Sequence, residues 1–333
     1  AGRRPGAYWP ELFFSKPSDP GIQALEQARS MFIILAMQRR RAHVRGDDAA
    51  ALRAVHRMLI VSSITDTRTN LLCHLIAVGI RAGAAQCFLK LLPALHLNAQ
   101  VISEGNRLSA LMQDDDAFNA AKVRAVQEEA TGGLRLLTKL LPSAYSLEGL
   151  LNPLTLDGLA QRLHGSILLR PSLEASTFPE TRRLEPPAYT PTYSPDAPLD
   201  AVAWLGSSEL AVTYYRPVLM HDRALADAHA AATLWALRLY HDAHHRYPAA
   251  LGDLVPAYLD KLPRDVFAPG DVALRYRVDA VGATVWSVGE NGVDDGGKPV
   301  LFHGAVSRYN SADYIYGAAW RAFEAAHSGA SAP

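Results

Sequence analysis

Cysteine is nearly absent from this chain of 333 residues, which carries only Cys73 and Cys87. Both fall in what reads as one continuous helix, and at a rise of about 1.5 Å per residue they stand roughly 21 Å apart, beyond the reach of a disulfide. No bridge between them can staple the fold. Each thiol reads as a small buried hydrophobe, which leaves the redox compartment unspecified. Charge of one sign is missing as well: 33 basic residues balance 33 acidic ones. Without a net field, nucleic acid is not an expected partner, since such binding rests on an excess of Lys and Arg. Uninterrupted apolar runs are short, the best being Met31–Met37 and Leu71–Ile80, and neither reaches the roughly 20 residues that span a bilayer.

Catalytic signatures are missing too. Ser207 and Ser208 follow Gly206 without the Gly-x-Ser-x-Gly frame that lifts a nucleophile onto a strained turn. Gly289, Gly292, Gly296 and Gly297 follow a predicted strand but have neither dinucleotide-loop spacing nor a clear helix behind them. His241, His244 and His245 are the one histidine cluster. On a helix His241 and His245 share a face, which is zinc-ligand spacing. No glutamate stands between them as a general base, and histidine near a helix C-terminus has a dipole explanation of its own. A metal-dependent hydrolase built on His241 and His245 is therefore the alternative function class.

What is present is a composition, 49% hydrophobic and 20% charged, that can bury a sizeable core in two domains. Residues 1–20 set Trp9, Phe13 and Phe14 among prolines and read as an extended arm. Helical periodicity predicts a helical domain over 21–169, with helices at 21–44, 48–64, 71–92, 98–115, 117–141 and 154–169. Asp47 or Asp48 caps the second helix, whose inward residues are Leu52, Val55, His56, Leu59 and Ile60. Arg39, Arg40 and Arg41 suit the C-terminal end of the first helix. Small residues in the third place it at the centre. Asp114, Asp115 and Asp116 invite a metal reading, but consecutive side chains diverge around a helix, and capping of the helix that starts at Ala117 explains them more simply.

Seven prolines between residues 170 and 200 mark 170–217 as an irregular crossing segment. A second domain over 218–318 follows and a tail over 319–333 closes the chain. In the second domain a helix at 219–246 begins after Pro217, and strands at 274–278 and 284–288 turn around Gly282. The expected fold class is α+β: an N-terminal all-helical domain followed by a head of one long helix and a small antiparallel sheet.

The order of residues in that head carries a resemblance. A helix ends at Tyr247-Pro248, Leu251, Leu254, Val255 and Leu259 follow, and Leu262-Pro263-Arg264-Asp265 leads to Phe267. A hairpin containing Leu274, Tyr276, Val285 and Trp286 then runs into Ser287-Val288-Gly289-Glu290-Asn291-Gly292-Val293-Asp294-Asp295-Gly296-Gly297. This region resembles the soluble head of type II secretion major pseudopilins. More loosely, the whole chain is similar to uncharacterised bacterial envelope proteins that join a helical body to such a head. The chain also departs from the family. Pseudopilins place a hydrophobic membrane helix before the head, whereas the corresponding helix here lies in mid-chain and carries Asp222, Arg223, Asp227, Arg238 and Asp242.

The resemblance implies calcium in the 289–297 loop, with Asp294, Asp295 and Asp313 as carboxylate ligands and Asn291 or the Val288 carbonyl as further oxygen donors. Without metal, Asn291-Gly292 and Asp295-Gly296 are turn-forming pairs whose side chains bond their own backbone. It also implies a non-catalytic structural or protein-interaction subunit of a bacterial envelope or extracellular assembly. Other subunits would be its partners, its location would be periplasmic or extracellular, and an anchor or signal would have preceded Ala1. Trp9, Phe13 and Phe14 at one end, and Tyr309, Tyr314, Tyr316 and Trp320 at the other, are the expected docking aromatics. The same side chains read equally well as completing the internal core.

Overall fold

The computed structural model describes residues 20–67, 71–126, 128, 198–299 and 313–326. The arm with Trp9, Phe13 and Phe14, the predicted helix at 154–169 and Tyr309 lie outside the described residues. In chain order the elements are α1 (Pro20–Val44), α2 (Asp48–Thr65), α3 (Leu71–Leu91), a 3-10 turn (Leu92–Ala94), α4 (Ala99–Met112) and α5 (116–126). They continue with α6 (Pro198–His244), a second 3-10 turn (Leu251–Leu254), β1 (Arg275–Asp279), β2 (Gly282–Ser287), β3 (Tyr314–Gly317) and α7 (Ala318–Ala326). The fold is a helix-rich α+β arrangement with one small antiparallel sheet.

Local chemistry sets the helix boundaries. Gly46, at φ 77°, ends the run after α1, and the Asp47 carboxylate accepts from Ala50 N at 2.9 Å to cap α2. Asp48, the other capping candidate, is buried. It accepts from His96 N at 2.8 Å and lies 2.7 Å from His43 Nδ1. Burial works against its charge, but the His96 amide and the two histidine rings outweigh it and hold the carboxyl below its ordinary range. Asn98 caps α4 through Gln100 N and Val101 N, both at 3.0 Å.

Helix α3 is central, as its small residues predict: Cys73, Ala77, Ala84, Ala85 and Phe88 are fully buried, and it packs on α1, α2 and α6. Cys73, buried, and Cys87, half-buried, both lie on it. Together with the 3-10 turn it forms a stretch, Leu71–Ala94, long and apolar enough to cross a membrane, in which an 18-residue window has a mean hydropathy of 1.6 and is half buried inside the chain. Its uninterrupted apolar run is short because Arg81 breaks it, while the helix average stays high.

The last long helix departs from expectation. It starts at Pro198 rather than 219 and ends at His244, so Pro217 lies inside it and 198–216 are helical rather than irregular. Proline removes one backbone donor and crowds the preceding turn, but burial of Val218, Ala224, Leu225 and Ala228 just beyond outweighs a local preference of that size. Helix α6 is shared by two cores. Ala228, Ala231 and Trp235 join Leu52, Met58, Phe88 and Leu108 of the helical body, whereas Ala224, Leu225, Ala230 and Leu237 join Leu254, Phe267, Val285 and Tyr314 of the head. Alanine on both faces lets both layers approach closely. Gly105 of α4 is needed for the same reason, since a Cβ there would run into the Trp235 indole.

The sheet order is β1-β2-β3, all antiparallel. Asp279 pairs with Gly282, leaving Ala280 and Val281 as the hairpin turn, so Gly282 opens β2 instead of sitting in the turn. Strand β3, too short to be read from sequence, pairs Val285 with Tyr316 and Ser287 with Tyr314.

Candidate functional site

The loop that follows β2 starts from a buried knot. The Asp265 carboxylate accepts from Ser287 Oγ (2.6 Å), Val288 N (3.0 Å) and Phe267 N (3.0 Å). Burial raises its pKa, against the pull of those donors and of Arg275. Beyond the knot the Asn291 side chain accepts from Val293 N at 2.9 Å and Asp294 Oδ1 accepts from Gly296 N at 3.0 Å, both turn-forming contacts of the kind expected without metal. Trp286 Nε1 also donates to Asp294 Oδ1 at 2.9 Å, and this bond leads the interactions that hold that carboxyl below its ordinary range. Asn291 Nδ2 donates to Asp295 Oδ2 at 3.0 Å, and Arg277 donates to the carbonyls of Gly296 (2.6 Å) and Gly297 (3.0 Å). Glu290 fastens the loop to α6 and β3 through Arg223 and the Tyr314 hydroxyl.

Asp313 returns to this loop. Its Oδ2 accepts from Gly297 N at 2.8 Å, while Oδ1 is buried with no hydrogen-bond partner. Burial pushes its carboxyl up against the pull of the Gly297 and Asp295 backbone N–H groups, and the neighbouring charges of Asp294 and Asp295 add to the rise. The loop therefore brings Asp294, Asp295 and Asp313 together, although protein donors already engage most of the oxygens that a cation would use. Among the described residues, no three His, Cys, Asp or Glu side chains are arranged to hold a metal ion.

The histidine cluster disperses. Helix α6 ends at His244, and His245 lies past the end in a left-handed conformation, φ 55°, so His241 and His245 do not share a helical face. His241 packs on Tyr247, with ring centroids 4.5 Å apart, and His244 packs on Tyr240 and meets the Tyr258 hydroxyl at 3.1 Å. The three terminal aromatics that can be placed are internal. Tyr314 and Tyr316 are fully buried, and Trp320 packs with Trp286, Ile315 and Ala319. Their docking role is thereby corrected to core filling, because a side chain enclosed by its own chain has no area left to give a partner.

Sequence reading did not single out the polar seam between α6 and the helical body. His74 Nδ1 lies 2.8 Å from Asp66 Oδ1, His74 Nε2 lies 3.2 Å from His221 Nδ1, and His221 Nε2 lies 2.9 Å from Asn119 Oδ1. Phe118 stacks on His221 at 4.1 Å. Burial, with Lys122 and the other nearby cations, drives the His221 pKa well below its ordinary value. The neutral ring has one N–H to give, to Asn119 or, with that amide turned, to His74. Alongside, Lys122 and Asp222 form a buried pair at 3.9 Å, and burial raises Asp222 to about 6 against the opposing Lys122 charge. Asp227 accepts from Gln86 of the body (2.7 Å) and from the Tyr316 hydroxyl of the head (2.9 Å), tying both layers to α6. Asp115, one of the three adjacent aspartates, pairs with buried His229 at 2.9 Å, and its backbone carbonyl accepts from Asn119 N to begin α5. The sequence did hold one signal: His221, Leu225 and His229 recur every four residues on the alanine-rich face of a buried helix.

Two cavities flank this seam. One, of about 410 Å³, includes Ser62, Ser63, Asp66, Thr67 and Arg81 in its wall. The other, of about 810 Å³, includes Asp115, Asn119, His229 and Arg264. The chain from Asp66 to Asn119 thus has one end on each. The hydroxyls at the first cavity donate to backbone, Ser62 to Ala77 O (2.7 Å), Ser63 to Ile60 O (2.9 Å) and Thr67 to Ile64 O (2.7 Å). His56 is half-buried at its rim rather than packed inward. The geometry acts as a clamp that joins α3, α5 and α6. No family model, curated protein or solved structure matches this chain.

Proposed function

We propose that the chain is a non-catalytic structural or protein-interaction subunit of a bacterial envelope or extracellular assembly, with residues 218–318 as a pseudopilin-like head that faces the periplasm or the exterior. One observation carries this reading. The motif residues on which the resemblance rests are bonded to one another: Asp265 to Phe267, Ser287 and Val288, and Trp286 to Asp294. Residues that recur in order and also interlock define a structural unit rather than a chance spacing. The burial of Ser62, Thr65, Thr233, His74, His221 and His229 in backbone or helix-to-helix bonds is consistent with a scaffold.

We also propose that Asp294, Asp295 and Asp313 hold calcium, which would neutralise three neighbouring carboxylates and satisfy the orphan Asp313 Oδ1. The assembly reading is tested by gentle purification from the native source, followed by cross-linking and mass spectrometry. Stoichiometric envelope proteins cross-linked to residues 218–318 are expected, and recovery as a lone, uncross-linked chain overturns it. For the metal, the thermal midpoint of the purified chain should rise with calcium and stay put for Asp313→Ala.

A further inference from the structure

Helix α1 has two apolar stripes and uses one of them. Ala24, Leu25, Ala28 and Leu35 are buried and α1 packs chiefly on α2. On the other side Ile33, Ile34 and Met37 are 57%, 50% and 60% exposed. Single exposed apolar side chains are ordinary, but three on adjoining turns of one face make a patch. At 3.6 residues per turn, Glu26, Ser30, Ile33, Ile34, Met37 and Arg41 fall within an arc of about 100°, and all six are exposed.

The stripe is complementary to itself. An acidic residue lies toward its start, a basic residue toward its end, a small side chain and a long one stand either side of the centre, and isoleucines occupy the middle. We propose that this face is a homodimer seam in which α1 of one protomer packs antiparallel on α1 of a second copy, about a twofold axis between Ile33 and Ile34. Each Ile33 then faces Ile34 of the other copy, Met37 fits over Ser30, and Glu26 meets Arg41. A parallel pairing sets Arg41 against Arg41 and Glu26 against Glu26, so charge selects the antiparallel register. The seam lies on the helical body and does not rest on the reading of the head.

Sedimentation velocity of the full chain, over a series from low to high micromolar, tests it. A concentration-dependent species of twice the 36.1 kDa chain mass is expected. Ile33→Glu should leave only monomer, and Arg41→Glu should weaken the dimer about tenfold. The double variant Glu26→Arg with Arg41→Glu should recover most of that loss, because it exchanges the two ends of each pair. The thermal midpoint of the Ile33→Glu monomer should hold, as that residue is exposed, while the two variants that carry Arg41→Glu should lose only the small stabilisation of a cation in the last turn of α1. Monomer at every concentration, a dimer indifferent to Ile33→Glu, or a charge swap without rescue would each overturn the seam.

Discussion

Two of the contacts that hold helix α6 to the helical body work by different physics. Around Trp235 the contact is dry: the indole lies over Gly105 and beside Phe88, with ring centroids 5.8 Å apart, and its one polar atom donates to Asn106 at 2.9 Å. About four turns earlier along the helix the contact is polar, made of His74, His221, Lys122 and Asp222 in nearly complete burial. Shape governs the first and protonation governs the second. A dry contact is lost when volume is removed and ignores pH, whereas a buried polar contact keeps its shape and changes strength as protons come and go.

The largest effect should come from emptying the dry contact. Trp235→Ala is expected to cost about 3–5 kcal/mol in urea unfolding, by the same amount at pH 5 and pH 7.5. A cost that varies with pH would break the division between the two places.

Next is the polar contact. The folded chain binds the Asp222 proton more tightly than the unfolded chain, because burial raises that pKa to about 6. Its contribution is full below about pH 4 and is lost as pH rises through about 6. Asn carries no such proton, so Asp222→Asn should gain on the natural chain by about 3 kcal/mol between pH 4 and pH 7. A flat difference in unfolding free energy across that window would show that Lys122 already neutralises the carboxylate in full.

His221 should slope the other way. Its folded pKa is depressed by burial, so its contribution is present above the ordinary histidine range and is lost as pH falls through it. His221→Gln should flatten that limb of the stability profile while leaving the Asp222 limb in place. At the small end, Arg107→Ala removes an exposed pair with Glu104 at 3.3 Å, outside both contacts, and should change stability by roughly 0.3 kcal/mol. A loss above about 1 kcal/mol would mean that Arg107 does more than pair with Glu104 at the surface.

The same contrast explains what was legible. Trp235 and Leu239 stand out by spacing on a helix, and the small residues of α3 mark its centrality, so the dry contact could be anticipated from local pattern. The partners of His221 are 147 and 102 residues away at His74 and Asn119, and no period in the sequence links them. In the loop, Asn291, Asp294, Asp295 and Asp313 could be named as a group, but the donors Trp286, Arg275 and Arg277 that engage the loop's oxygens could not. Pro217 was read as a boundary because its local effect is strong, and burial on the next turn overrode it. Tyr314 and Tyr316 looked like docking residues because aromatic composition is silent about which side of a four-residue strand is enclosed.

By itself the sequence determined where α2, α3 and α4 begin, that Gly46 ends α1 and which residues of the loop after β2 travel together, because caps, turns and helical periods are effects between near neighbours. Tertiary structure decided that Asp47 caps while Asp48 is buried against His43 and His96, that Asp227 joins body to head, and that Asp313 returns to the loop after β2. Those choices depend on which distant surfaces meet, and the burial that makes a polar pair selective exists only once they have met.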